Sequence, residues 1–181
     1  LLGGVTRLTE SGLSMVDWRP IMGVIPPLTE AQWLATFAEY QQYPEYQKIN
    51  QGMDLAGFKQ IFLFEYLHRV LGRLIGLMYF VPLVIFALRK MIAPQLLPTL
   101  ILLLILGAAQ GMLGWYMVKS GLVDRPSVSQ YRLTAHLGVA VAIYALMMWL
   151  VLRVSSGLSP ALKHISGWGW MLVVGVYTLI L

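Results

Sequence analysis

Cysteine is absent from this 181-residue chain, and charged residues are scarce. Without cysteine, the chain can form no disulfide, no thiolate metal site and no cysteine nucleophile. Only 12% of the residues are charged, whereas soluble domains carry about 25% on average. The hydrophobic fraction is 58% and the mean hydropathy is +0.70, so the composition is typical of a protein whose main solvent is lipid.

A concentrated basic patch is also missing, although the net charge is +5. The lysines and arginines stand singly at the ends of apolar runs, where charges that flank membrane spans are usually found. Nucleic-acid binding uses clustered basic residues and is therefore not expected. The number of basic residues favours a cytoplasmic long loop, but such counts are weak for long loops, so orientation stays open on these grounds.

Three apolar runs are long enough to cross a bilayer as helices, at 61–88, 99–118 and 133–152. About twenty helical residues span the roughly 30 Å hydrocarbon layer, and a backbone in lipid must satisfy its own hydrogen bonds. Residues 1–5 resemble the end of an earlier span, and a linker at 153–166 leads to the start of a later one at 167–181. The sequence therefore predicts an all-α integral membrane protein, truncated at both ends.

Residues 6–60 are predicted to be a long extramembrane segment, because they are too polar and too rich in proline to cross a membrane. Thr29 and Gln32 have the spacing of a capping box, which predicts the start of a short helix. Trp33, Phe37 and Tyr40 then recur at helical spacing. This aromatic stripe fits either a helix on the membrane interface or one packed against a protein core.

Ionisable residues inside the spans are few and grouped, and each is costly in lipid. His68 and His136 lie about 10 Å and about 6 Å from the starts of their spans, on the same side of the membrane because consecutive spans alternate in direction. Two imidazoles at similar depth can ligate one iron from opposite faces of a porphyrin. The pattern favours a heme between His68 and His136, and the alternative is two unrelated histidines that bond to their neighbours.

Small residues accompany both histidines. Gly72 and Gly76 share the helix face of His68, and Gly138 lies near His136. Missing side chains at these positions would leave room for the edge of a porphyrin. A close contact between helices would use the same residues, and both uses are compatible.

Glu65 lies one turn from His68 and indicates an enzyme, because a pure electron carrier needs no carboxylate beside its iron ligand. It is the candidate catalytic residue, and the alternative is a structural pair with Arg69. Arg69, Arg73 and Arg132 are candidate partners of heme propionates, since guanidinium groups bind carboxylates well. For Arg132, lipid headgroups are a nearly equal alternative.

Several blocks of residues, taken together and in order, resemble one known family. They are GGVTRLT at 3–9, SGLSM at 11–15, WRP at 18–20, GVIPPL at 23–28, EYLHR at 65–69, GR at 72–73, GMLGWYMVKSGL at 111–122 and YRLTAHL at 131–137. Over most of residues 3–137 the chain resembles heme A synthase, in the form shared by alphaproteobacteria and mitochondria. The bacterial branch with a cysteine pair in its first long loop does not fit.

The resemblance implies eight transmembrane helices in two similar four-helix halves, of which this chain would be the N-terminal, substrate-binding half. Heme O would be the substrate, bound through His68 and His136, with Glu65 as the essential carboxylate. The implied activity is oxidation of the C8 methyl group of heme O to the formyl group of heme A, for cytochrome oxidase. Heme b is expected mainly in the absent C-terminal half, so this fragment is expected to be inactive alone.

The resemblance also implies a long loop outside the cytoplasm, in a bacterial inner membrane or, alternatively, a mitochondrial inner membrane. Candidate partners are heme O synthase, cytochrome oxidase assembly factors, the lipid bilayer and a second copy of the chain. Two other functions stay open. One is a b-type cytochrome subunit that passes electrons through a bis-histidine heme, and the other is a transporter with a polar pathway.

Overall fold

The structure, a computed structural model, describes residues 2–16, 25–121 and 128–155, and at 120 and 121 it describes the backbone alone. Within these ranges the chain is helical and contains no strand. The helices are α1 (Leu2–Leu8), α2 (Glu30–Tyr40), α3 (Pro44–Lys48), α4 (Leu55–Leu88), α5 (Leu97–Gly121) and α6 (Gln130–Ser155). The partial span predicted at 167–181, and the linker beyond Ser155, lie outside the described residues.

Three of these helices, α4 to α6, are long and apolar enough to cross a membrane. Their most apolar windows have mean hydropathies of 2.1, 1.9 and 2.1, and they hold most of the exposed leucine, isoleucine and valine side chains. Exposed apolar side chains of this kind are stable against lipid tails and costly in water. The prediction of an all-α integral membrane protein is confirmed.

Helix α4 begins at Leu55 rather than at 61, where the apolar run was predicted to start. Asp54 accounts for the difference, because its Oδ1 accepts a hydrogen bond of 2.8 Å from the backbone N–H of Gly57. A side chain that accepts in this way satisfies one of the unpaired donors in the first turn of a helix. Hydropathy marks the part of a helix that lies in lipid, whereas the cap marks where the helix begins.

Basic and aromatic side chains meet near the ends of two spans. The ammonium of Lys119 lies 5.0 Å from the ring centroid of Trp115, and the guanidinium of Arg153 lies 5.0 Å from that of Trp149. Tryptophan and basic residues are enriched where a span meets the headgroups. These pairs mark the C-terminal ends of α5 and α6.

The extramembrane segment folds onto the beginning of α4. Thr29 and Gln32 form the predicted capping box at the start of α2. Trp33, Phe37 and Tyr40 pack against Phe58, with ring centroids 6.4, 5.0 and 5.1 Å from the Phe58 ring. The aromatic stripe of α2 is therefore a core contact. We call these four residues, with Tyr46 and Phe62, the aromatic cluster.

The chain divides into two compact units, each described by itself. The first comprises residues 1–72 and 113–134, and includes the aromatic cluster. The second comprises residues 73–112 and 135–181. In the second unit, the hydroxyl of Tyr79 on α4 donates a 2.8 Å hydrogen bond to the backbone carbonyl of Leu100 on α5.

A buried carboxyl group, Glu45, lies in α3 beside the aromatic cluster. Burial raises the pKa of Glu45 to about 8, and the negative charges of Glu65 and Glu10 add to the shift. A hydrogen bond with Tyr40 opposes it. The Tyr40 hydroxyl also accepts a 2.7 Å hydrogen bond from Asn50. Glu45 is therefore protonated at neutral pH in the folded segment.

We expect the extramembrane segment to lose stability as the pH rises from about 5 to about 8. In this window the folded state keeps a proton on Glu45 that the unfolded state, with an ordinary pKa of 4.5, has released. The stabilisation is complete below pH 4.5 and falls by at most about 1.4 kcal/mol per pH unit above it. Amide hydrogen exchange in α2 and α3, corrected for intrinsic rates, measures the effect. Glu45→Gln should flatten the dependence and the exposed Glu39→Gln should not; an unchanged slope in Glu45→Gln would contradict the assignment.

Candidate functional site

Glu65 is buried on α4 with both of its carboxylate oxygens occupied. Oε1 accepts hydrogen bonds from Nε (3.1 Å) and Nη2 of Arg69. Oε2 accepts hydrogen bonds of 2.7 Å from the Ser14 hydroxyl and from the backbone N–H of Met15. The carboxylate is 3% exposed and has four donors, so its burial is fully compensated.

The Glu65–Arg69 pair confirms the interaction expected from the i,i+4 spacing. Nη2 of Arg69 also donates a 2.9 Å hydrogen bond to the backbone carbonyl of Met15. Glu65 and Arg69 thus hold both the N–H and the C=O of one loop residue. This contact fixes the segment around Ser14 and Met15 against α4, directly beside His68.

His68 lies on α4 three residues after Glu65 and is held by the N-terminal helix. Its Nδ1 is 3.1 Å from the hydroxyl of Thr6 on α1, which is buried. This is the only hydrogen bond of the His68 ring within the described part of the chain. Nε2, the nitrogen on the other side of the ring, is therefore available to a ligand.

His136 lies on α6 and contacts a polar side chain that sequence reasoning missed. Nε2 of the ring is 3.3 Å from Nε2 of Gln110 on α5. The Gln110 amide oxygen is buried and has no hydrogen-bond partner among the described residues. An uncharged amide in the middle of a membrane span is the signal that could have identified Gln110, because polar groups in lipid need partners. Ligation of a metal through Nε2 of His136 would require Gln110 to move aside.

The three candidate arginines have different surroundings. Arg69 is directed to Glu65 and Met15, as described above. Arg132 lies over the ring of Tyr116, 4.3 Å from the centroid, and donates a 3.3 Å hydrogen bond to its hydroxyl. Arg73 is half-buried on α4. Arg69 is therefore held by a buried carboxylate, and Arg132 by an aromatic ring and its hydroxyl.

The two histidines belong to different compact units, His68 to the first and His136 to the second. Their ligation of one iron stays a prediction. Arg132 belongs to the unit of His68, and Arg73 to the unit of His136. The pairing of these arginines with one ligand likewise stays a prediction.

The described residues suit a porphyrin better than a metal held by protein alone. Among them no group of three or more histidine, cysteine, aspartate or glutamate side chains could hold an ion. A heme iron needs only one nitrogen from each histidine, because the porphyrin supplies the rest. A Cβ added at Gly72, Gly76 or Gly138 would meet no described atom within 4 Å, so these positions are open. In the first compact unit, the open position at Gly72 lies one turn after His68 on α4, and this arrangement fits a planar ligand on that ring.

Comparison with known proteins identifies the relatives of this chain. Proteins named heme A synthase match it in Nitrosospira multiformis, with 56% identity over 84% of this chain and 43% of the relative, and in Nitrosomonas eutropha, with 50% identity over 100% and 52%. The protein of the same name from Paramagnetospirillum magneticum is 56% identical over 85% of this chain and 44% of the relative.

The chain spans about half the length of the curated relatives it matches. No solved structure matches it. A family model described as cytochrome oxidase assembly protein, COX15-CtaA, matches residues 1–181, which is the whole chain. The chain therefore belongs to the COX15-CtaA family of cytochrome oxidase assembly proteins.

Proposed function

We propose that this chain is the substrate-binding half of a heme A synthase, an oxidoreductase that converts the C8 methyl group of heme O into a formyl group. The observation that carries the proposal is the identity of 50–56% to proteins named heme A synthase, over 84–100% of the chain. Heme O is the substrate and heme A the product. Cytochrome oxidase is the consumer, in keeping with the description of the family.

In this proposal His68 and His136 are the axial ligands of the substrate heme. The support at His68 is direct, since Nδ1 is engaged by Thr6 while Nε2 makes no hydrogen bond within the described residues. Histidine ligands commonly donate the second ring N–H to a protein group, which fixes the orientation of the ring. At His136 the contact with Gln110 gives way when the ligand binds.

We assign Arg73 and Arg132 to the propionates of the heme. Within the described residues Arg132 is held by the ring and hydroxyl of Tyr116 and not by a carboxylate, which supports a role in binding an anionic group. A propionate role for Arg69 stays a prediction with less support, because the described contacts of Arg69 go to Glu65 and Met15.

Glu65 is proposed as the carboxylate that acts beside the bound substrate. Its place one turn before His68 brings it close to any group that this ring holds. Four donors occupy the carboxylate, so a proton could reach it only after Ser14, Met15 or Arg69 releases its hydrogen bond. The porphyrin supplies the oxidation chemistry when bound. Glu65 and Arg69 hold the loop at Ser14 and Met15 in place.

The cellular setting is part of the proposal, supported by the bacterial origin of the relatives and by the three apolar helices. A bacterial inner membrane is proposed, with residues 6–60 on the outer side. A heme b cofactor is proposed for the part of the relatives that this chain does not cover. Heme O synthase, cytochrome oxidase assembly factors and a second copy of the chain remain candidate partners.

Chromatography of hemes extracted from cells tests the proposal. The full-length protein, expressed with a source of heme O, should yield a heme with a formyl group. A b-type cytochrome subunit, the competing function, would return only unmodified heme while keeping a bis-histidine absorption spectrum. A purified protein with no heme band would instead favour a transporter.

A further inference from the structure

The hydroxyl of Thr6 makes three contacts, and these determine the tautomer of His68. Its Oγ1 lies 2.8 Å from the carbonyl of Leu2, 3.1 Å from the carbonyl of Gly3 and 3.1 Å from Nδ1 of His68. The shortest contact is the hydrogen bond that the hydroxyl donates to the carbonyl of Leu2, four residues earlier, as threonine commonly does in a helix, and the hydroxyl has only one proton. The contact with His68 then requires Nδ1 to be the donor, which leaves the lone pair of the ring on Nε2.

Gly3 lies against the same ring. A Cβ added at Gly3 would be 3.3 Å from Cε1 and 3.7 Å from Nε2 of His68. The first distance is tighter than most real Cβ contacts, so the ring would have to shift. The neighbouring Gly4 has no described atom within 4 Å of such a Cβ. The missing side chain at Gly3 therefore gives the His68 ring the space it needs around Cε1 and Nε2.

We infer that Thr6 and Gly3 are positioning residues for His68, and that they present its Nε2 to the iron of the substrate. This inference rests on the proposed function, because it takes His68 as the ligand. Thr6 sets which nitrogen carries the lone pair and where the ring points, and Gly3 leaves room around that nitrogen. Neither residue touches the reacting atoms.

The attachment of Thr6 is itself well supported. Its backbone carbonyl accepts hydrogen bonds from the N–H of Ser11 (3.0 Å) and from the Ser11 hydroxyl (3.3 Å). The backbone carbonyl of Ser11 in turn accepts a 3.4 Å hydrogen bond from the backbone N–H of Ser14, whose hydroxyl donates to Glu65. The N-terminal segment is therefore fastened to α4 at Glu65 and at His68, one turn apart.

Variants of Thr6 in the purified full-length protein test the hydrogen bond. Thr6→Val keeps the shape of the side chain and removes the hydroxyl. The heme bound through His68 should then transfer to excess apomyoglobin about ten times faster, because losing a hydrogen-bond partner of a ligand weakens binding by at least about tenfold. The midpoint potential of that heme should rise, because the unbonded imidazole is a weaker base. Thr6→Ser should restore both values. The control is Thr9→Val, since Thr9 is exposed on the same segment and its hydroxyl contacts Val5 and Ser11 but not His68 among the described residues.

Gly3→Ala tests whether the His68 ring needs the space that the missing side chain at Gly3 leaves. Gly4→Ala is its matched control. Gly3→Ala should alter the electron paramagnetic resonance spectrum of the low-spin heme, because a tilted imidazole changes the ligand field, and Gly4→Ala should not. This pair also keeps the test decisive if Thr6→Val fails to accumulate.

Including His68→Ala distinguishes failure of the proposed function from failure of the positioning role of Thr6 and Gly3. If His68→Ala retains a six-coordinate heme, the proposed function fails at its first ligand. If His68→Ala loses that heme while both Thr6→Val and Gly3→Ala keep the wild-type release rate, potential and spectrum, only the positioning role is overturned.

Discussion

A His68→Ala variant of the full-length protein is expected to lose the six-coordinate, low-spin spectrum of the heme in this half, and with it the production of formyl heme. The reason is that alanine removes the imidazole of His68, the only histidine in the first compact unit. The loss in heme affinity should exceed about 100-fold, because removing only a hydrogen-bond partner of a ligand already costs about 10–100-fold. Absorption spectra and extracted-heme content per protein measure it, and His136→Ala should behave alike.

The third histidine of the sequence, His164, is not one of the proposed ligands and provides the control. His164→Ala should leave the spectrum and the product unchanged. If His68→Ala, correctly folded, still holds its heme with two axial ligands, another residue ligates the iron and the assignment is wrong. If the low-spin spectrum is lost in His68→Ala but not in His136→Ala, His68 remains the assigned ligand and the assignment of His136 is wrong.

Glu65→Ala is expected to destabilise the protein strongly. The substitution leaves the side chain of Arg69, which is 9% exposed, without its carboxylate, and removes the acceptor for Ser14 and Met15. Breaking a buried ion pair on one side costs about 3–5 kcal/mol. Glu65→Gln keeps the shape but turns one acceptor into a donor, which costs about 1–3 kcal/mol. Denaturant titration in detergent measures both changes in the free energy of unfolding. The control is Glu39→Gln at an exposed position, for which this change should be near zero.

The same variants separate a structural Glu65 from a catalytic one. If Glu65 is catalytic, Glu65→Gln should still bind heme and yet yield no formyl product. A Glu65→Gln protein that makes product at the wild-type rate would leave Glu65 a purely structural role. Combining Glu65→Gln with Arg69→Met should cost less than the two single changes added, because the pair is lost together.

Local patterns in the sequence predicted local structure well. The Thr29 and Gln32 capping box and the Glu65–Arg69 pair lie within one helical turn, so their spacing alone brings the groups together. The long apolar runs likewise predicted the three spans, since helix is the only stable backbone for a single segment in lipid.

Contacts between distant residues could not be predicted in the same way. Thr6 and His68 are 62 residues apart, and Ser14 and Glu65 are 51 apart, so no spacing rule connects them. Gln110 was not predicted for a different reason: it carries no charge, and the high cost of charge in lipid points only to ionisable residues. The aromatic stripe of α2 left two interpretations open, and only the position of Phe58 on α4 decides between them.

The length of α4 has a consequence for where His68 stands in the bilayer. The helix has 34 residues and is about 51 Å long, well beyond the roughly 30 Å of hydrocarbon. Arg89 and Lys90 follow Leu88 and anchor this end of the helix at one membrane surface. From Leu88 back to His68 the helix is about 30 Å long, which equals the thickness of the hydrocarbon layer. The turns before His68 lie beyond this length, and the aromatic cluster packs against them through Phe58 and Phe62. If His68 is a ligand of the substrate heme, as proposed above, the porphyrin would lie near one face of the hydrocarbon layer, with its propionates toward the headgroups and its apolar edge toward the lipid tails.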